Sequence, residues 1–133
     1  MRFLLDTNIC IYVIKQKPIP VLQRFQTYSR SDIRISAITI AELRYGAIKS
    51  QRIQQNLVAL EQFLLPFEVI AFEQSMTQIY GEIRTDLERQ GRPIGAMDLL
   101  LAAQAIALDV TLVTNNVGEF SRIPSLKWEN WAA

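Results

Sequence analysis

Histidine is absent from this chain and cysteine occurs once, at Cys10. The first absence removes every mechanism that needs an imidazole: a Ser-His-Asp or Cys-His pair, a histidine general base, a His-rich zinc site. The second removes an internal disulfide, a cysteine cluster and a CxxC redox pair. Acid–base or metal chemistry must then rest on Asp, Glu, Asn, Thr, Ser, Lys and Tyr. An excess of either charge is also missing, since 14 Lys and Arg face 13 Asp and Glu for a formal net charge of +1. That balance argues against a basic arm that grips nucleic acid by charge alone. No apolar run approaches the roughly 18 residues of a membrane span. Asp6 interrupts MRFLLD too early for the apolar core of an export signal, so a reducing cytoplasm is the expected compartment.

What is present is an ordinary globular composition, 50% hydrophobic and 20% charged over 133 residues. Repeats, low-complexity tracts and linkers are lacking, so residues 1–133 are expected to form one domain. The apolar run Arg2 to Leu5 predicts a buried strand closed by Asp6. Asp6-Thr7-Asn8 then offers caps for a helix through Ile9, Ile11, Tyr12 and Ile14. Pro18 and Pro20 end that helix, and Pro20 suits the first turn of the next, which carries Val21, Leu22 and Phe25. Alternation at Ile33 and Ile35 predicts a second strand, followed by a helix from Thr39-Ile40-Ala41-Glu42 that Gly46 tightens or ends.

Two further helices are predicted by Ile53, Leu57, Leu60 and Leu64, and by Met76, Ile79, Tyr80, Ile83 and Leu87. Glu68 to Ala71 between them reads as a third strand. Gly91, Pro93 and Gly95 form a loop, and Leu99 to Leu108 is so apolar that it belongs inside the protein or under a partner. Val110 to Val113 is the fourth strand, ending in Thr114-Asn115-Asn116, and the tail Leu126 to Trp131 is an edge strand or a surface segment. Alternating strands and helices imply an α/β fold, a mostly parallel central sheet flanked by α-helices.

Ligands of such sheets bind beyond the carboxyl ends of the strands. Asp6 and Thr114 to Asn116 stand at strand ends, Glu42 and Asp98 near helix starts, and Glu119 just past the fourth strand. Two unit charges about 4 Å apart repel by roughly 4 kcal/mol at an effective dielectric of about 20. Converging acids therefore call for a hard cation such as Mg²⁺ or Mn²⁺, which also supports attack of water on a phosphodiester without histidine.

Structural roles compete for each residue. Asp6 caps a helix; Thr39-x-x-Glu42 fits a capping box; Asp98 suits a helix dipole; Asn115-Asn116 is turn chemistry; Glu119 is a solvated acid. Cys10 packs as a small hydrophobe, and Trp128 and Trp131 anchor the C-terminus. Arg84, Arg89 and Arg92 border the loop before Asp98 and either meet phosphates or form a solvated face.

LLDTNICIYVIK at 4–15, SAITIAELRYGAIKS at 36–50, GRPIGAMDLLLAAQA at 91–105 and VTNNVGEF at 113–120 resemble, in order and spacing, the motifs of PIN-domain proteins, and among these the VapC-type toxins. The likeness extends to the closing LKWENW. It implies a PIN-like fold and a Mg²⁺-dependent ribonuclease, with Mn²⁺ as substitute. Asp6, Glu42 and Asp98 match the family's first three acids, and Glu119 or Asn116 the fourth position. Asn116 stands where many PIN domains carry aspartate. Thr7 and Asn8 match supporting positions, as do Thr114 and Asn115 within the last motif. The resemblance further implies a homodimer, an RNA substrate (tRNA in close relatives), and a VapB-type antitoxin through which alone the toxin meets DNA. A PIN-like domain without catalysis is the binding-class alternative. A phospho-accepting receiver is the other, but it generally uses an adjacent early acid pair and a late lysine beside the site, whereas Asp6 is flanked by Leu5 and Thr7 and the fourth strand ends in Thr114-Asn115 with no lysine.

Overall fold

A computed structural model describes residues 1–132. The strands are β1 (Phe3–Leu5), β2 (Ile33–Ser36), β3 (Glu68–Ile70), β4 (Thr111–Val113) and β5 (Trp128–Glu129). Between them run α1 (Thr7–Lys15), α2 (Ile19–Thr27), α3 (Ala37–Ile48), α4 (Ile53–Leu64), α5 (Thr77–Arg89), α6 (Ala96–Leu108) and α7 (Val117–Phe120). All strands are parallel, in the order β3-β2-β1-β4-β5.

Central β1 is buried on both faces, as a continuous apolar run in a parallel sheet must be. Its alternation divides the core. Phe3 and Leu5 join Ile9, Val13, Val21, Phe25, Leu43 and Leu60 on the face covered by α1 to α4. Leu4 joins Leu87, Leu99, Leu101 and Leu112 on the face covered by α5 and α6. Because the chain winds outward from β1 in both directions, the crevice between the carboxyl ends of β1 and β4 is the sheet's switch point.

The apolar helix α6 lies within the chain itself, with Leu99 and the run Leu101 to Ala105 buried. Gln104, its polar interruption, donates to the carbonyls of Ile70 and Ala71 at 3.3 and 3.1 Å.

Several local expectations change. Ser36 caps α3, accepting from the Ile38 N–H at 3.0 Å, so Thr39 sits inside the helix, fully buried, and caps nothing. The capping box is therefore not formed, and the Glu42 carboxylate serves no cap. Gly46 does not end α3, which continues to Ile48. The tail does form an edge strand, with Leu112 beside Trp128 and Val113 beside Glu129. Glu119 lies on the short helix α7, which no periodicity announced.

Trp131 is 1% exposed, stacked on Tyr28 with centroids 5.6 Å apart and edge-on to Phe3 at 5.3 Å. It anchors the C-terminus to β1. Trp131→Ala is expected to cost about 3–5 kcal/mol. Urea denaturation checks this; a loss below about 1 kcal/mol would show that the tail does not hold the core.

Candidate active site

Asp6 is where the sheet and its first helix meet. Its backbone N–H bonds to Val113 O at 2.9 Å, fixing the end of β1 to β4. Its Oδ1 accepts from the Thr7 N–H at 2.8 Å, which makes it the N-cap of α1. Its Oδ2 accepts from the Thr114 hydroxyl at 2.7 Å, and Thr114 Oγ1 in turn accepts from the Asn116 N–H at 2.9 Å. The capping role and a role in the crevice thus coexist in one carboxylate. Asp6 is 5% exposed. Burial raises its pKa, the Thr114 and Thr7 bonds pull it down, and Glu119 pushes it up again.

Three more acids surround it. Glu42, on the second turn of α3, is raised by burial and then by the charge of Asp6. Asp98, in the first turn of α6, is pushed up to about 7, by burial first and then by Asp6, Glu119 and Glu42. Glu119 on α7 completes the group, near enough to raise both Asp98 and Asp6. Each acid is thus felt by at least one other, across four separate elements. Among the described residues, the ion pairs lie elsewhere, and none brings a lysine or arginine to these carboxylates.

The supporting residues divide. Asn115 donates to the Tyr12 hydroxyl at 2.7 Å, tying the β4–α7 turn to α1. Asn116 precedes α7 and holds its turn through its backbone, with no side-chain cap bond. Asn8 is exposed in the first turn of α1. Thr7 Oγ1 is shielded from solvent without a hydrogen bond of ordinary geometry, yet lies near enough to Glu42 to favour its charged form. Arg84 is exposed and engaged on its own helix, 2.7 Å from Tyr80 Oη and 3.4 Å from Glu88. Arg89 and Arg92 are exposed at the end of α5 and in the following loop. Tyr12 was legible only as a helix-packing residue, because its partner lies 103 positions away.

Four carboxylates with neutral amide and hydroxyl oxygens, and no paired base, are a donor set for a hard divalent cation rather than a soft one. The side chains do not by themselves close into an ion-binding arrangement among the described residues. What fits is the donor chemistry: burial first, and then the neighbouring acids, raise the proton affinity of Asp6, Glu42 and Asp98, which an added positive charge would relieve.

A parallel α/β sheet with an acid-lined crevice at its switch point defines the class, and the model of the PIN-domain family matches residues 3–126. The chain belongs to that family, in its VapC ribonuclease branch. It is 47% identical over 132 residues to ribonuclease VapC2 of Rickettsia felis, covering 98% of each chain. It is 41% identical to the tRNA(fMet)-specific endonuclease VapC of Shigella flexneri, covering 99% of each. In structure it is similar to the toxin chain of VapBC2 from Rickettsia felis bound to a promoter DNA fragment, with TM-score 0.91, 46% identity, and 98% and 99% of the two chains covered. Nucleases of this family generally depend on a divalent metal. The receiver alternative falls with the family match. No helix among the described residues is long and apolar enough to cross a membrane.

The raised acids link stability to pH. An aspartate held near 7 in the fold but near 4 in the unfolded chain keeps its proton longer when folded. Its contribution is therefore complete below about pH 4 and is lost as pH rises toward 7; Asp6 and Glu42 act in the same direction. In EDTA, the melting temperature is expected to be lower at pH 8 than at pH 5.5, with a smaller gap in Asp98→Asn. Mg²⁺ is expected to raise it more at pH 8. Melting curves that ignore both pH and metal would remove the electrostatic account of this site.

Proposed function

We propose that the chain is the toxin of a toxin–antitoxin pair, a Mg²⁺-dependent endoribonuclease that hydrolyses an RNA phosphodiester, in tRNA by analogy with its Shigella flexneri relative. The observation that carries the reading is the cluster of four interacting acids at the β1–β4 crevice with no basic partner. Asp6, Glu42 and Asp98 would hold the ion, and Glu119 or Asn116 would complete the site. A bound hard cation would neutralise the acids, make a bound water easier to deprotonate and offset charge on the phosphate; Mn²⁺ would substitute.

The chain's own groups supply the rest. Thr7 N–H and the Thr114 hydroxyl fix both oxygens of Asp6, so that carboxylate keeps one orientation through a turnover. The Asp98 carboxyl, pushed up to about 7 by burial first and then by the neighbouring acids, is suited to accept a proton from attacking water and return it to the leaving oxygen. Asn115, held by Tyr12, keeps the turn that carries Asn116 and Glu119 against the crevice. Asn8 would support the first acid.

The same site suits control by a VapB-type antitoxin. A groove of about 320 Å³ between α1, α3 and α4, with Ile11, Ile14, Leu43 and Leu60 in its walls, opens beside Glu42. An apolar antitoxin segment laid along it would bring a basic side chain to the acids. The Rickettsia felis relative was solved as a VapBC2 complex on promoter DNA; this chain would form a homodimer and touch DNA only through its antitoxin, in the cytoplasm.

Asp6→Asn and Asp98→Asn are each expected to lower RNA cleavage by at least about a hundredfold. Excess EDTA should do the same to the wild-type chain. Gel assays on bacterial tRNA check this, with circular dichroism confirming the fold. Undiminished cleavage in either variant, or in chelator, would overturn the mechanism. A wild-type chain that cuts no RNA would leave the non-catalytic PIN-like reading in its place.

A further inference from the structure

A crevice lined by four acids repels a polyanion, and a net charge of +1 offers no compensating field. If the site cuts RNA, cations outside it must hold the strand. Most of the chain's basic residues are already engaged. Arg24, Arg34, Arg44, Arg84 and Lys127 form ion pairs; Arg2, Arg30 and Lys49 lie over aromatic rings; Arg122 donates to Pro93 O. Among the described residues this leaves Lys15, Lys17, Arg52, Arg89 and Arg92.

Placement separates Arg89 from Lys15 and Lys17. Arg89 shares its depression on α5 with Glu82 and Asp86, which would oppose a phosphate. Lys15 and Lys17 share one of about 360 Å³ whose other walls are Ile11, Tyr12 and Pro18, with no acid in it. Lys15 also borders the groove that contains Glu42. The depression adjoins the crevice through Tyr12, whose Oη accepts from the Asn115 amide at 2.7 Å, and Asn115 follows Thr114, whose hydroxyl donates to Asp6 at 2.7 Å. Side chains on a helix tend to lean toward its N-terminus, which for Lys15 on α1 is the Asp6 end. The α1 dipole explains a cation at Lys15; Lys17 lies beyond the C-cap and has no such role.

We propose that Lys15 and Lys17, with the half-buried Tyr12 between them and the crevice, form a backbone subsite for the single-stranded RNA flanking the scissile phosphate. The proposal rests on the ribonuclease reading above. Two flexible ammonium groups would neutralise successive phosphates, while Ile11, Tyr12 and Pro18 offer the sugar an apolar floor. The subsite supplies affinity; the acids supply chemistry.

Single-turnover cleavage of total bacterial tRNA by excess enzyme, at several salt concentrations, tests it. For Lys15→Ala/Lys17→Ala, the half-saturating enzyme concentration is expected to rise roughly tenfold and the salt slope to flatten by about 1.4, at about 0.7 for each lost phosphate contact. The saturated rate should stay within about twofold of wild type, since neither lysine touches the reacting atoms. Lys15→Arg/Lys17→Arg should restore binding, and Arg89→Ala should leave it unchanged. Unaltered half-saturation and salt slope in the alanine pair, beside an active wild type, overturns the subsite alone. Failure of the wild-type chain to cut any RNA overturns the ribonuclease reading and the subsite with it.

Discussion

Mutual repulsion among Asp6, Glu42, Asp98 and Glu119 is the constraint around which the crevice is organised. Separated along the chain, these acids would each ionise freely in water. Gathered at one strand edge, they are raised by burial first and then by one another's charge, Asp98 to about 7 and Asp6 and Glu42 in the same direction. Hydrophobic burial on both sheet faces, not any contact between the acids, holds them there. The clusters around Leu5 and Leu4 fix α1 and α3 on one face and α6 on the other, and with them the carboxylates at their N-terminal turns. Functional strain of this kind is offset by packing elsewhere.

Asp6 shows how one carboxylate can cap a helix and still stand at the crevice. As N-cap it satisfies an orphan N–H of α1, and the same bond, with the Thr114 hydroxyl, removes its freedom to rotate. A side chain so held presents its electron pairs to the crevice at no further entropic cost. Asp98 likewise sits where a helix dipole welcomes an anion, which partly eases the repulsion it meets.

Legibility in the sequence followed the range of the forces involved. Periodicity marked α4 over Ile53–Leu64 and the strand carrying Ile33 and Ile35, because burial of one face is a local pattern. It failed for the start of α3, where Ser36 rather than Thr39 supplies the cap: two hydroxyl residues compete, and the strand's end decides between them. Gly46 was a weak breaker because a helix packed on both neighbours tolerates a glycine. The Tyr12–Asn115 bond, the engagement of Arg84 by Tyr80 and Glu88, and the freedom of Lys15 and Lys17 carry no local mark.

Residue types and their order along the chain, by themselves, limited the chemistry to carboxylates and a hard cation, set an α/β sheet, and carried the PIN-domain resemblance. These follow from composition and short-range pattern, which survive without knowledge of the fold. Only the tertiary structure decided that the acids come within electrostatic reach of one another, that Asp6 caps α1 while bonded to Thr114, and which cations stay unpaired. The physical reason is that Coulomb coupling and desolvation depend on distances across the sheet, here between residues as far apart as Asp6 and Thr114, and no local pattern encodes such a distance.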